Sequence, residues 1–339
     1  MKQRDFYLDN ICSLLIIHMI YTCHIAHACG HCLPTIIKAI GTSLFFFMSW
    51  FFFKGGMVHK IGSFKEILKK SVKRLLVPYV IFLLVGFLLD GIIKFATDET
   101  LTLITFLKGE VGIFASTAII WSTGASWFLL SLFIVRLTFN FFISKAHPIL
   151  LASFFLFLAY GMYLIQCYVR TYGIQIAGYT LYRFPVYFGN ICHGITLYSL
   201  GYYLKEKQFN RILFVSALFI YIAHFFIPAV IDFRANDPYG NNYIWGAICG
   251  MAGCVVINNL FKRYVNGNMR FFTHIGCNSM VYYLIHYPVM FTTVKLFLAP
   301  VKEIDFMTNF FILSFVVTVL LVVAEYLFRV KRLRFIVGG

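Results

Sequence analysis

Apolar residues gather into ten stretches, each close to the twenty or so that cross a bilayer as a helix. They run over about 8–28, 34–53, 75–95, 126–144, 149–167, 181–204, 212–233, 243–260, 274–297 and 308–328. The pattern predicts an all-α fold, a polytopic transmembrane helix bundle of about ten spans. No long hydrophilic stretch and no internal repeat interrupts it, so residues 1–339 read as a single membrane domain. An even span number puts both termini on one side.

The basic residues say which side. With the N-terminus inside, twenty Lys and Arg fall in inside segments and five in outside loops, namely Lys38, Lys108, Arg170, Arg234 and Lys302. Alternation of that strength, loop by loop, is the positive-inside rule, and it predicts cytoplasmic termini. Four cations remain within or at the ends of spans. Lys94 and Lys295 can snorkel to an interface, whereas Arg136 and Arg183 suit the bundle interior.

Two connections are long. Residues 54–74 space Ile61, Phe64, Ile67 and Leu68 at near-helical intervals among lysines, which predicts a basic amphipathic helix on the cytoplasmic surface. Residues 96–125 are apolar but interrupted by Lys108, Glu110 and Gly112, the pattern of a re-entrant or surface helix.

Composition narrows the class. Hydrophobic residues make up 60% and charged ones 12% of the chain, with a mean hydropathy of +0.82, values outside the soluble globular range. The net charge of +16 is then a topology signal first, and no nucleic-acid partner is expected. MKQR leads into a span too long for a signal-peptide core, so the first helix is expected to stay as a signal anchor.

Ionisable groups inside spans are costly and face a bundle interior or a watered cavity. The first span carries Asp9, His18, Cys23, His24 and His27 on one helix. At 1.5 Å per residue Asp9 lies roughly 22 Å from His24, so an acid that orients His24 must come from another span. His24, His27, Cys29, His31 and Cys32 match no standard zinc spacing, and no metal site is expected. Cys29 and Cys32 are close enough in sequence for a structural disulfide in an oxidising compartment. In the ninth span Tyr282, Tyr283 and His286 share about one turn, and Pro288 loosens the backbone beyond them.

Several of these segments occur in a telling order. YLDN at 7–10 leads to His24, FFFMSWFFFKGG at 45–56 contains Ser49, and KRLLVPY at 73–79 carries Lys73 and Arg74. Trp127-Phe128-Leu129 opens the fourth span, and Gly276, Ser279, Tyr283 and His286 follow in the ninth. From about residue 5 to 330 the chain resembles the acyltransferase 3 family of integral membrane acyltransferases, most of all members that modify surface or capsular sugars in Gram-negative bacteria.

The resemblance implies a bundle in a bacterial inner membrane that passes an acyl group, usually acetyl, from acyl-CoA to a hydroxyl of a cell-surface or lipid-linked sugar. Acyl-CoA would be a donor substrate, and no cofactor would stay bound. His24, His286 and Asp9 become the catalytic candidates, with a histidine as general base or acyl carrier. Lys73, Arg74 and Ser49 become the donor-binding candidates, and Trp127, Arg136, Arg183, Tyr283 and Ser279 those for the acceptor. Two departures stand out in the first helix. Cys12 occupies a position where the family usually has Arg or Lys, and the family's histidine position falls on Cys23, one residue before His24. A bulge would restore the register.

A transporter or flippase for a lipid-linked saccharide is the alternative, since it too would be a basic polytopic bundle with buried His and Arg. It would more often carry matching Gly/Pro-interrupted repeats, which the chain lacks.

Overall fold

The computed structural model describes residues 5–25, 48–98, 100–117, 123–124, 126–172, 175–176, 179–180, 184–205, 207, 210–227, 242–293, 306–330 and 333–338. Over these residues the chain is helical apart from a two-residue antiparallel ladder, Gln175–Ile176 with Tyr179–Thr180. Among the described residues four helices are long and apolar enough to cross a membrane: Phe64–Ala96, Pro148–Val169, Tyr243–Tyr264 and Thr308–Phe328. Shorter apolar helices cover Phe6–Thr22, Trp127–Phe142 and Arg211–Phe226. The protein is an integral membrane protein.

In chain order the helices are α1 (Phe6–His18), α2 (48–57), α3 (Phe64–Ser71), α4 (Val77–Thr97), α5 (Leu103–Thr117) and α6 (Trp127–Phe142). Then come α7 (Pro148–Tyr172), α8 (Phe184–Leu204), α9 (Arg211–Phe226), α10 (Tyr243–Tyr264), α11 (Arg270–Cys277), α12 (Ser279–Thr293) and α13 (Phe306–Phe328). A 3-10 turn, Arg334–Val337, follows.

The expected second span, 34–53, lies mostly outside the described residues, but its end is helical as far as residue 57. The amphipathic segment forms α3, whose start is capped by Ser63 accepting from the Glu66 backbone N–H at 3.4 Å. Rather than lying apart, α3 runs through a π-helical turn, Val72–Leu76, straight into α4. The interrupted apolar segment 96–125 contains α5, pinned to α4 by the Lys94–Glu110 ion pair at 2.5 Å and by Phe106 packing on Phe87 and Phe95.

One expectation is corrected. The ninth span is two helices, because α11 ends at Cys277 and α12 starts at Ser279. Asn278 adopts φ −98° and ψ 14° between them, and its side-chain amide donates to the His274 carbonyl at 3.0 Å. Its backbone N–H still reaches the His274 and Ile275 carbonyls at 3.3 and 3.1 Å, and the Val281 N–H turns back to the Asn278 carbonyl at 2.9 Å, so the ladder tightens into a turn at this residue. Pro288, in contrast, is carried inside α12.

Helix association in lipid depends on close packing, which small residues allow. A Cβ at Gly56 would lie 1.9 Å from the Tyr198 carbonyl oxygen, and one at Gly201 would lie 2.0 Å from that of Phe53. α2 and α8 therefore cross backbone to backbone. Gly276 plays the same part between α11 and α1, where an added Cβ would meet the Asp9 carbonyl oxygen at 1.9 Å. Asn10 strengthens that contact by donating to the carbonyls of Val265 and Gly267 at 2.9 and 3.1 Å. The main core threads the bundle through Ile11, Phe53, Leu129, Phe139, Leu197 and Val317, all buried, and a smaller cluster of Ala217, Ala252, Val255 and Val256 joins α9 to α10. The outward face is apolar as well, as Ile212, Phe219 and Phe226 on α9 illustrate, which suits lipid rather than water.

Candidate active site

α1 does not end as a regular helix. From Met19 to Ile25 it widens into a π-helix, which takes up extra residues per turn. Over the six residues from His18 to His24 the widening absorbs about one residue, or roughly 100° of rotation. His24 is thereby turned toward the direction that position 23 would have in an unbroken α-helix. The bulge anticipated from the sequence is present; the Cys23 side chain lies outside the described residues. Tyr21, within the same turn, anchors it to α13 through a 2.6 Å hydrogen bond with Thr318.

His24 meets His286 of α12. Nδ1 of His24 and Nε2 of His286 are 2.9 Å apart, and the rings stack with centroids 4.9 Å apart and planes within 4°. Both side chains are buried, His24 at 9% exposure and His286 at 0%. Nδ1 of His286 lies 3.1 Å from the carbonyl oxygen of Tyr282. A carbonyl can only accept, so in the neutral pair His286 Nδ1 carries the proton and Nε2 is the acceptor. His24 Nδ1–H is then the donor, and His24 Nε2 carries the lone pair.

Aromatic rings wall this pair. Tyr287 stands edge-on to His24 with centroids 5.5 Å apart. On its other side is Gly124, where a Cβ would come within 3.2 Å of the Tyr287 ring. Tyr283 is 6.0 Å from His286, Phe128 is 5.6 Å from Tyr283, and Trp127 is 6.1 Å from Phe128. The sequence named Tyr283, Trp127 and, within the Trp127-Phe128-Leu129 opening, Phe128, but not Tyr287, whose signal was adjacency to His286.

The other expected residues are distributed elsewhere. Ser279 starts α12 two turns before His286. Ser49 is buried in α2, and its hydroxyl has no hydrogen-bond partner among the described residues. Asp9 sits in the first turn of α1, accepting from the Cys277 thiol at 3.6 Å, a helix length away from His24. Its contacts tie α1 to α11. Arg183 lies outside the described residues.

Arg136 was expected with the acceptor-binding residues, yet it lies nine residues along α6 from Trp127, roughly 13 Å away from that end. There its charge acts on Arg74, His59 and Tyr198, and its Nε is buried without a partner among the described residues. Lys73 is exposed beside Arg74. Arg136 and Arg74 thus define a basic end of the bundle.

His59 closes the interior at this end. It is buried in the connection after α2, with Nδ1 2.7 Å from the Tyr198 hydroxyl and Nε2 3.2 Å from the Asn140 side-chain oxygen. Burial pushes its pKa down to about 4; the bond to Asn140 opposes this, and the charges of Arg136 and Lys205 add to it. Close by in sequence, Lys54 of α2 donates to the Cys12 sulfur of α1 at 2.9 Å. A cation is thus present at position 12 after all, supplied by a neighbouring helix.

A last polar cluster links α11, α12 and α13 around the buried carboxylate of Glu325. It accepts from the Tyr282 hydroxyl, from Arg329 Nη2 at 2.8 Å and from the Asn278 amide at 3.3 Å, with His274 Nε2 at 2.8 Å. Tyr282 accepts from His286 Nδ1–H through its carbonyl and donates its hydroxyl to Glu325, so the cluster fixes the residue that fixes the histidine tautomer.

A bundle of apolar helices that encloses a hydrogen-bonded, aromatic-walled histidine pair has the makings of a membrane-embedded site for general-base chemistry. The family model of an acyltransferase domain matches residues 5–324, and the chain belongs to the acyltransferase 3 family. It is a membrane acyltransferase. No curated protein and no solved structure matches the chain.

Proposed function

We propose that this protein is an O-acyltransferase of a bacterial inner membrane that moves an acyl group, acetyl in particular, from acyl-CoA to a hydroxyl of a cell-surface or lipid-linked sugar. The observation that carries the reading is the relay from the Tyr282 carbonyl through His286 to His24, because it leaves a lone pair on His24 Nε2. His24 takes the proton of the acceptor hydroxyl, and the oxygen attacks the thioester carbonyl. The new C–O ester bond forms, the C–S bond breaks, and the imidazolium returns its proton to the departing CoA thiolate. The His286 acceptor stabilises the imidazolium through the His24 Nδ1–H.

In this reading ten spans put both termini, and with them the basic end of the bundle, in the cytoplasm where acyl-CoA is found. Lys73, Arg74 and Arg136 attract the polyanionic donor. Trp127, Phe128, Tyr283 and Tyr287 supply ring faces near the histidines on which a sugar can stack.

The test is transfer of radiolabelled acetyl from acetyl-CoA to an envelope glycan extract by the purified protein. The parent chain should transfer label and His24→Ala should lose it. Label that moves regardless of His24 places the base elsewhere, and no CoA-dependent label with any acceptor favours saccharide transport instead.

A further inference from the structure

The end of α4's basic approach, the break at Asn278 and the chain's last turn enclose a cleft of about 540 Å³. Its cationic lining is Arg74, Arg329 and Arg334, and its one carboxylate is Glu325. Glu325 is already saturated by Tyr282, Arg329, Asn278 and His274. Arg74 and Arg334 make no hydrogen bond or ion pair among the described residues, so the cleft presents two uncompensated guanidinium groups.

The last turn is not a loose tail. Gly338 has φ +82°, and a Cβ there would lie 2.4 Å from the Arg74 carbonyl oxygen. Only glycine combines that left-handed backbone with so close an approach. The 3-10 turn Arg334–Val337 is therefore seated on Arg74 itself, with Val337 buried. This contact is what carries Arg334 to the cleft.

Guanidinium forks match phosphate oxygens bidentately. Asn278 and Val281 also line the cleft, at the start of the helix that carries His286, which lies eight residues beyond Asn278, about 12 Å along the axis. A ligand whose phosphates rested on the arginines could extend a flexible arm along α12 to the histidines. We infer that this cleft binds the phosphate groups of the nucleotide part of the acyl donor, and that Arg334, delivered by the C-terminal turn, is a donor-positioning residue. The inference rests on the acyl-CoA reading given above. An anionic lipid headgroup offers the same phosphate chemistry, and the test separates the two.

The experiment uses the full chain in nanodiscs of phosphatidylcholine and, separately, of phosphatidylglycerol. CoA affinity is measured directly, and acyl transfer is measured from acetyl-CoA and from acetyl-pantetheine, which has the thioester arm but no phosphate. Arg334→Gln is expected to weaken CoA about tenfold and raise the acetyl-CoA KM alike, with kcat and acetyl-pantetheine turnover unchanged. Arg334→Lys recovers part of the loss. Gly338→Val, which keeps every charge but unseats the turn, reproduces Arg334→Gln.

Arg334→Gln that binds CoA like the parent overturns the inference, as does an equal loss with acetyl-pantetheine. Unchanged CoA affinity with loss of a preference for phosphatidylglycerol assigns the cleft to a lipid headgroup and also overturns it. A parent chain that fails to bind CoA at all sinks the acyl-CoA reading itself, whereas CoA binding indifferent to Arg334 and Gly338 removes only this cleft from it.

Discussion

The division of labour within the histidine pair is the sharpest consequence of the geometry. Replacing His286 by Ala leaves His24 Nδ1–H in a buried place without the acceptor that stood 2.9 Å away. An unsatisfied buried donor costs about 1–3 kcal/mol. That sum is free to be recovered by turning the ring or moving the proton, so the productive orientation is depleted roughly 5- to 150-fold at about 1.4 kcal/mol per tenfold. Removing His24 itself deletes the base, worth about 100- to 10,000-fold. Single-turnover acyl transfer at saturating acyl-CoA should therefore rank parent, His286→Ala and His24→Ala in that order, with the donor KM little changed. His286→Gln is the decisive variant, because its amide oxygen can accept from His24 Nδ1–H as the imidazole nitrogen does. It should retain more activity than His286→Ala. If His24→Gln survives better than His286→Gln, the roles are reversed and His286 is the base; if Gln at 286 is no better than Ala, the acceptor argument fails.

Two further predictions concern the frame that holds the pair. Gly201→Val drives side-chain atoms into the Phe53 carbonyl, already 2.0 Å from an added Cβ, and should lower thermal stability in detergent by an amount toward the upper end of ~1–3 kcal/mol. Gly161→Ala on α7, with nothing within 4 Å of the new Cβ, is the control and should change little; equal effects would deny the close α2–α8 crossing. His59 has a folded pKa near 4 against an ordinary 6.5, so in that interval the unfolded chain binds more protons. Its contribution is complete above pH 6.5 and is lost as pH falls through about 4. Thermal unfolding followed from pH 7.5 to 4.5 should steepen in this window for the parent and flatten for His59→Gln, and parallel curves would remove His59 as the cause.

Much of the bundle was legible because a membrane leaves a one-dimensional record. The apolar runs 126–144, 149–167, 243–260 and 308–328 coincide with α6, α7, α10 and α13 to within five residues at each end. What hydropathy does not encode is a break made by a backbone turn. GCNS at 276–279 is apolar enough to be read as part of one span, and the turn at Asn278, with ψ 14° and the Val281 N–H bonded back to its carbonyl, divides it. The depth of Arg136 was not legible for a related reason. Being inside a span fixes that a cation is interior but not at which depth, and nine residues of rise carry it from the aromatic end at Trp127 to the basic end near Arg74.

The first helix shows how two local departures can be absorbed by neighbours without altering the site. An α-helix with Asp9, Cys12 and His24 spaced as they are would turn His24 about 100° away from the direction of position 23, and Cys12 brings no charge. The π-helical turn Met19–Ile25 removes the first difficulty, and no residue in MIYTCHI announces it. Lys54 removes the second from another helix, placing an ammonium 2.9 Å from the Cys12 sulfur. The sequence alone counts Lys54 as one of the twenty inside cations, because side-chain reach across a helix interface is a property of packing. Gly56, two residues on, is what lets α2 seat against α8, and Trp50, Phe52 and Phe53 bury the rest of the helix. The position of that one charge thus depends on a glycine contact far from the histidines. A search confined to residues of the first helix would have found a charge missing, when the fold supplies it from the second.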